Sequence, residues 1–256
     1  MKRRNFIKTT AIGTLALGLG SCSQPEKTHI LTLSFDDGFK KSFYRIADIY
    51  EQFDLKACLN VVASAHLPNY IPPDKWQSVK LGDFNDWNVL QKRGHEIMPH
   101  SWEHQNLTKI PFQQAQKLIT KCLNYFEENL DGFEIPESVY SFAFNASTPE
   151  LEKFALSKVK AIRTHGNSPI NPIPLTNSSI RLACSSFGPE NADIWVEGQI
   201  NNFLNSSGGW LVLNLHGLDN EGWGPISSAF LINLLKKLSQ HDYLDILPVG
   251  EVLKNI

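Results

Sequence analysis

The chain has 256 residues, of which 42% are hydrophobic and 20% charged, and its formal net charge is −2. This composition is typical of a globular protein and excludes the disordered, collagen-like and coiled-coil classes. Residues 1–21 hold four cations and no acid, so the rest of the chain has 20 cations against 26 acids, a balance of −6. Such a chain has no surplus of cations to neutralise phosphates, and nucleic acid is not an expected partner.

The N-terminal segment has the features of an export signal. Residues 1–21 begin with cations, contain an apolar run over 11–19 and end in small residues before Cys22. The apolar run is too short to span a bilayer, so a secretory signal is predicted rather than a membrane helix. Residues 3–8 resemble a twin-arginine export signal, and residues 19–22 resemble a bacterial lipobox.

The lipobox resemblance implies that Cys22 is lipidated and that residues 22–27 form a short tether. The protein is then an exported lipoprotein that faces the periplasm or the cell exterior and contacts the membrane through its lipid anchor only. The alternative is an ordinary cleaved signal with a freely released protein. The other cysteines lack the CxxC spacing of a zinc knuckle, and Cys58 and Cys122 are expected in the core.

From residue 28 onward, apolar runs of strand length alternate with stretches of helical spacing. Strands are predicted over His29–Phe35, Lys56–Val62, His95–Pro99, Val139–Phe144, Lys160–Arg163, Ser179–Ser185, Trp210–Leu215 and Tyr243–Pro248. Several are apolar without alternation, as expected of parallel strands that are covered on both faces. Helical spacing occurs over 43–53, 112–126 and 230–238. These units predict one α/β domain over 28–256, a parallel β/α barrel of seven or eight units rather than an open sheet with a second domain.

The first predicted strand ends in Asp36, Asp37 and Gly38. Adjacent side chains of a regular strand face opposite ways, so two acids that serve one site must lie where the strand already turns, and Gly38 permits that turn. Barrel enzymes build their sites at the carboxyl ends of the strands. The alternative for this dipeptide is a solvated turn.

A second cluster contains His100 and His104, four residues apart. On a helical turn both imidazoles would lie on one side and could bind one divalent ion. With one carboxylate they form a set that leaves positions open for water and substrate, as catalytic metal sites do. The alternative is a chance pair, and His95 is expected to pack rather than to bind.

The predicted strand Trp210–Leu215 ends in His216, which is followed by Gly217. A histidine at the carboxyl end of a strand suits an acid that must reach a reacting group. The alternative is a hydrogen-bonded loop histidine without a chemical role.

Together, Ser34–Gly38, His100–His104 and Leu213–His216 resemble, in this order, the motifs of the polysaccharide deacetylase (NodB-like) family of carbohydrate esterases. The resemblance extends from about Leu31 to the C-terminus. It implies a distorted (β/α) barrel and a catalytic domain over 28–256.

The resemblance also implies roles. Asp36 is the general base, Asp37 binds the metal with His100 and His104, and His216 is the general acid. The implied cofactor is one divalent metal ion, with zinc preferred over cobalt or nickel. The implied reaction removes N-acetyl groups from an acetylated polysaccharide or oligosaccharide. Two alternatives are an O-acetyl esterase acting on a plant polysaccharide such as xylan, and a carbohydrate-binding lipoprotein with impaired catalysis.

The chain departs from the family at the third motif, where Ser141–Ala146 contains neither the usual Arg nor the usual Pro. Backbone N–H groups near Asn145 and Ala146 are still expected to stabilise an oxyanion, because this donation does not depend on the side chain. Arg163 or Arg181 is expected to orient Asp36 in place of the missing arginine.

The fourth motif has only a loose counterpart in Asp193–Trp195, for which a structural role is expected. Indole faces stack on sugar rings, and Trp102 and Trp223 are predicted to line a substrate groove. Trp87 and Trp210 are expected to pack in the core, as is Trp195.

Overall fold

The structure, a computed structural model, describes residues 28–72, 78–174 and 179–254. The predicted export signal over 1–21, Cys22 and the tether over 22–27 lie outside the described residues. Within the described part of the chain, no helix is both long and apolar enough to cross a membrane.

Nine strands are present in the described residues. They are β1 His29–Phe35, β2 Cys58–Val61, β3 Glu96–Pro99, β4 Val139–Ser141, β5 Ala161–His165, β6 Ile170–Asn171, β7 Ile180–Cys184, β8 Gly209–Leu215 and β9 Leu244–Ile246. All eight predicted strands are confirmed, with ends within three residues of the prediction. The short β6 was not predicted.

Each α-helix of the described residues follows a strand, but no helix separates β5, β6 and β7 in the part of the chain that the structure describes. The α-helices are α1 Lys40–Glu51, α2 Phe84–Lys92, α3 Phe112–Asn129, α4 Pro149–Leu156, α5 Asp193–Leu204, α6 Ser228–Leu238 and α7 Val249–Lys254. The three stretches of helical spacing correspond to α1, α3 and α6. Each of these helices buries one apolar stripe, such as Phe43, Ile46 and Tyr50 of α1.

The strands form two sheets in the order β3-β2-β1-β8-β6, with β9 also paired to β1, and β4-β5-β7. The pairs are parallel except for the antiparallel pair of β6 and β8. A parallel bridge between Ser185 and Leu213 joins the two sheets on one side. On the other side, the Val139 N–H lies 3.5 Å from Met98 Sδ, and no ladder joins β3 to β4 in the described residues. The parallel α/β architecture is therefore confirmed, whereas closure of the barrel stays a prediction.

Burial explains why β1 lacks alternation, since all seven of its residues are buried between the layers. The core also contains Cys58, Cys122 and Cys184, which are unpaired, and the side chains of Trp87 and Trp210. Because neighbouring parallel strands end at the same edge, the residues that follow β1, β3 and β8 meet there. We call it the carboxyl edge.

Candidate active site

Asp36 follows β1 at the carboxyl edge and is 1% exposed. Its carboxylate accepts hydrogen bonds from three other strands. Asn60 Nδ2 on β2 donates to Oδ1 at 3.0 Å. Arg163 Nη2 on β5 and Asn214 Nδ2 on β8 donate to Oδ2 at 2.5 and 2.6 Å. This network fixes the orientation of the carboxylate from several sides.

Arg163 takes the place of the arginine that the third motif lacks. It is wholly buried and pairs with Asp36, whereas Arg181 lies at the surface and donates to Glu152 Oε2 at 2.9 Å. Although burial acts to lower the pKa of Arg163, the adjacent Asp36 carboxylate raises it, so the guanidinium remains charged. Of the two expected substitutes, the structure selects Arg163.

Asp37 faces the same space as Asp36 because the chain turns sharply after β1. Asp37 and Gly38 have φ of 81° and 87°, outside the extended region. Asp37 Oδ1 lies 3.3 Å from His104 Nε2 and 3.6 Å from His100 Nε2. The ligand atoms of these three residues lie within 4.8 Å of one another.

The segment that carries His100 and His104 corrects one expectation, since it is not a helical turn. Ser101 and His104 have φ of 69° and 52°, and the His104 N–H donates to Ser101 Oγ at 2.9 Å. This tight turn of left-handed residues brings the ring centroids of the two histidines within 5.2 Å of each other. The two residues therefore meet as predicted, but through another backbone conformation.

The protonation of His100 suits a metal ligand. Its Nδ1 lies 3.0 Å from the carbonyl oxygen of Ser141. Since a carbonyl can only accept, Nδ1 carries the proton, which leaves the lone pair on Nε2 beside Asp37. Burial, followed by the charge of His104, lowers the pKa of His100 well below its ordinary value, so the ring stays neutral.

The donor set fits a divalent cation. Asp37 Oδ1 is buried and has no hydrogen-bond partner within the described protein. Such an oxygen is costly unless a ligand satisfies it. Two imidazole nitrogens and one carboxylate oxygen are the ligands of zinc and similar ions in catalytic sites. Asp37, His100 and His104 thus form the candidate metal site.

Replacing one of these ligands is expected to abolish tight metal binding. His100→Ala should weaken zinc binding by more than the 10–100-fold that loss of an outer-shell partner typically costs. Titration calorimetry on the metal-free protein measures this directly. His165→Ala is the matched control, because this exposed histidine at the end of β5 is outside the ligand set. Equal zinc affinity in wild type and His100→Ala would rule out this ligand set.

One cavity of about 370 Å³ joins the candidate catalytic groups. Its lining includes Asp36, Asp37, His100, His104 and His216. This volume lies within the range of small-molecule sites. The five residues singled out from three separate stretches of sequence are therefore brought to one place.

Of the four predicted substrate-binding residues, two line this cavity. Asn145 and Trp223 line the cavity, and Trp223 is 37% exposed. Trp102 does not, because it is buried against Tyr125 at a centroid distance of 5.3 Å and covered by Lys121. The prediction that Trp102 forms a groove wall is thus wrong, since its indole is needed for packing.

The expected oxyanion donors are also not free. The Asn145 N–H donates to the Phe142 carbonyl at 3.0 Å, and the Ala146 N–H donates to the Ala143 carbonyl at 3.2 Å. Both bonds belong to the tight 3₁₀ turn that follows β4. Ala146 lines an adjoining depression rather than the cavity, so its predicted role in substrate binding is not supported.

The sequence analysis missed three aromatic residues that line the cavity, Phe39, Tyr70 and Phe144. Phe144 is 60% exposed, has φ of 59° and lies with its ring centroid 4.7 Å from that of His104. Burial raises the pKa of Tyr70 to about 12, so its phenol stays protonated and can donate a hydrogen bond. Tyr70 lies outside every predicted strand, helix and motif, whereas Phe144 lies in the third-motif segment, where no role was predicted for it.

His216 follows β8 and contacts Trp223 edge to face, at a centroid distance of 5.5 Å. Its Nδ1 is buried without a hydrogen-bond partner in the described protein. Asp193, the loose counterpart of the fourth motif, instead accepts from the N–H and hydroxyl of Ser227, each at 2.8 Å. Asp193 has the structural role that was expected, and it does not orient His216.

The fold and the site together define a class of protein. It is a parallel α/β protein with a candidate metal site at the carboxyl edge of its sheet. The sequence model of the polysaccharide deacetylase family matches residues 23–151. Because this match covers half of the chain, the protein belongs to the polysaccharide deacetylase family. No curated protein matches the chain.

Solved structures share the fold at low sequence identity. A protein from Mycobacterium smegmatis assigned as a polysaccharide deacetylase has 14% identity and a TM-score of 0.69, over 91% of this chain and 92% of its own. Peptidoglycan deacetylase PdaC from Bacillus subtilis has 16% identity and a TM-score of 0.53, over 89% and 92%. BA3943 from Bacillus anthracis, described as a pseudoenzyme, has 11% identity and a TM-score of 0.56, over 90% and 66%.

Proposed function

We propose that this protein is a metal-dependent hydrolase that removes N-acetyl groups from an acetylated polysaccharide. The observation that carries the proposal is the single cavity shared by the buried carboxylate of Asp36, the Asp37, His100 and His104 set, and His216. The likeness to a peptidoglycan deacetylase supports the amide as the bond that is cleaved.

The reaction needs a general base that takes a proton from water and a general acid that protonates the leaving nitrogen. A divalent ion, when bound, supplies Lewis-acid polarisation of the acyl carbonyl and lowers the pKa of water. Asp36 takes one proton from water as the water oxygen bonds to the acyl carbon. His216 gives one proton to the nitrogen as the carbon–nitrogen bond breaks. The products are acetate and a free amino sugar, and proton exchange with solvent restores both residues.

Two alternatives use the same cavity. An O-acetyl esterase would follow the same tetrahedral path with an alcohol as leaving group, so the site residues alone fit both bonds. The other alternative is a carbohydrate-binding protein without catalytic activity. The observation behind this alternative is the likeness to a pseudoenzyme. The retention of both Asp36 and His216 favours an enzyme, because binding alone requires neither a base nor an acid.

Acetate release from defined polymers tests the proposal. The purified full chain, supplied with zinc or cobalt, is incubated with chito-oligosaccharides, peptidoglycan and acetylxylan in parallel. Release from an N-acetylated polymer is the expected result. Release from acetylxylan alone would favour the esterase, and no release from any polymer by the metal-loaded protein would favour the binding protein.

We also propose that the protein is exported and anchored through a lipid on Cys22, on the strength of the N-terminal sequence. Cys22→Ala should move the protein from the membrane fraction to the soluble fraction in a bacterial host. An unchanged distribution would contradict the lipid anchor.

A further inference from the structure

We infer that Glu221 positions His216, by anchoring the loop that carries this residue to helix α1. We call residues 216–226 the acid loop. The inference rests on the proposed function, because it explains how the proposed general acid is held in place. It assigns Glu221 and Ser42 as positioning residues that do not touch the substrate.

His216 lacks the partner that usually orients a catalytic histidine. Such a ring is commonly fixed by a third group that bonds its other nitrogen. Here Nδ1 is buried and unpartnered in the described protein, and Asp193 is occupied by Ser227. The orientation of the imidazole must therefore come from packing.

The packing surface is the backbone of the acid loop itself. Gly222 has φ of 90°, and a Cβ at this position would lie 2.9 Å from His216 Cβ and 2.9 Å from the Gly217 nitrogen. A Cβ on Gly217 would in turn meet the Glu221 carbonyl oxygen. Trp223 then contacts the imidazole edge to face. His216 thus lies directly against the segment 221–223.

Glu221 fastens this segment to α1. Its Oε2 accepts from the N–H of Ser42 at 3.1 Å and from Ser42 Oγ at 2.5 Å. Ser42 Oγ also accepts from the Leu218 N–H at 3.0 Å, and Ser42 is 2% exposed. Hydrogen bonds to a carboxylate are shorter and stronger than neutral ones. Since α1 follows directly after the turn that holds Asp36, the anchor ties the acid to the same part of the fold as the base.

A leaving-group comparison separates acid positioning from general damage. An amine must be protonated as it leaves, whereas 4-nitrophenolate departs from 4-nitrophenyl acetate without an acid. In Glu221→Ala, kcat on an N-acetylated chito-oligosaccharide should fall roughly 30-fold, part of the 10²–10⁴-fold that general acid catalysis contributes. Activity on 4-nitrophenyl acetate should fall less than about 3-fold, and zinc content should be unchanged.

Two further variants test the same contact. Glu221→Gln keeps an acceptor oxygen for Ser42 and should recover most of the activity on the oligosaccharide. Ser42→Ala removes the hydroxyl that links Glu221 to Leu218, and should show the same selectivity for the amide substrate. Ser42→Ala also serves if Glu221→Ala does not fold.

Asp219→Asn is the matched control. Asp219 is in the same loop and likewise accepts from the N–H and the hydroxyl of one serine, Ser228, at 2.9 and 2.8 Å. It faces α6 instead of His216, so both activities should stay at the wild-type level. Equal losses of Glu221→Ala on both substrates, or no loss on either, would overturn the inference. A wild type that is inactive on both substrates would overturn the proposed function and the inference with it.

Discussion

Asp36→Asn should lower acetate release at least about 10³-fold, because the amide cannot take the proton from water. Metal binding should persist, since Asp37, His100 and His104 are unchanged. The variant should also lose stability, because Arg163 is wholly buried and would keep its charge without a carboxylate beside it. Single-turnover acetate release, zinc titration and urea unfolding measure these three results.

The loss of activity and the loss of stability are separated by a second substitution. Asp36→Asn combined with Arg163→Met removes both buried charges and should regain most of the stability. It should not regain activity, because no base is restored. A folded, zinc-loaded Asp36→Asn protein that keeps more than a tenth of wild-type activity would show that Asp36 is not the base.

The sequence predicted those parts of the fold in which burial imposes a pattern. The bounds of β1 match the prediction, because its apolar run ends abruptly at Asp36. The two-residue β6 was missed because Ile170–Asn171 is too short to show any periodicity. The four-residue spacing of His100 and His104 correctly predicted that their side chains meet. It does not distinguish a helical turn from the left-handed turn that is present.

The surroundings of Asp36 depend on strand register, which the sequence does not state. In the parallel register of β5 and β7, Arg163 is the partner of Leu182, and Arg181 is the partner of Ile162. Register partners on neighbouring strands face the same side of the sheet, and successive residues of one strand face opposite sides. The two arginines therefore face opposite sides of this sheet, and a shift of β7 by one residue would have turned Arg181 to the side that Arg163 faces. For the same reason, the sequence could not show that Asn60 and Asn214 donate hydrogen bonds to the Asp36 carboxylate.

Arg163→Met is expected to destabilise the metal-free protein by about 3–5 kcal/mol, the usual cost of removing one partner of a buried ion pair. The Asp36 carboxylate would remain buried with only Asn60 and Asn214 as donors. Its orientation would be less well fixed, so activity should fall as well. Urea unfolding of the metal-free wild type and variant gives the difference in the free energy of unfolding.

A double-mutant cycle identifies the source of this cost. If it comes from an unpaired buried charge, Asp36→Asn and Arg163→Met should each be less stable than the double variant, with a coupling free energy above about 2 kcal/mol. Arg181→Met is the matched control, since Arg181 is exposed where it pairs with the half-buried Glu152, and the pair should be worth no more than about 1 kcal/mol. Additive losses in the cycle would mean that Arg163 contributes by filling space in the core. In that case its charge would not be what holds Asp36 in position.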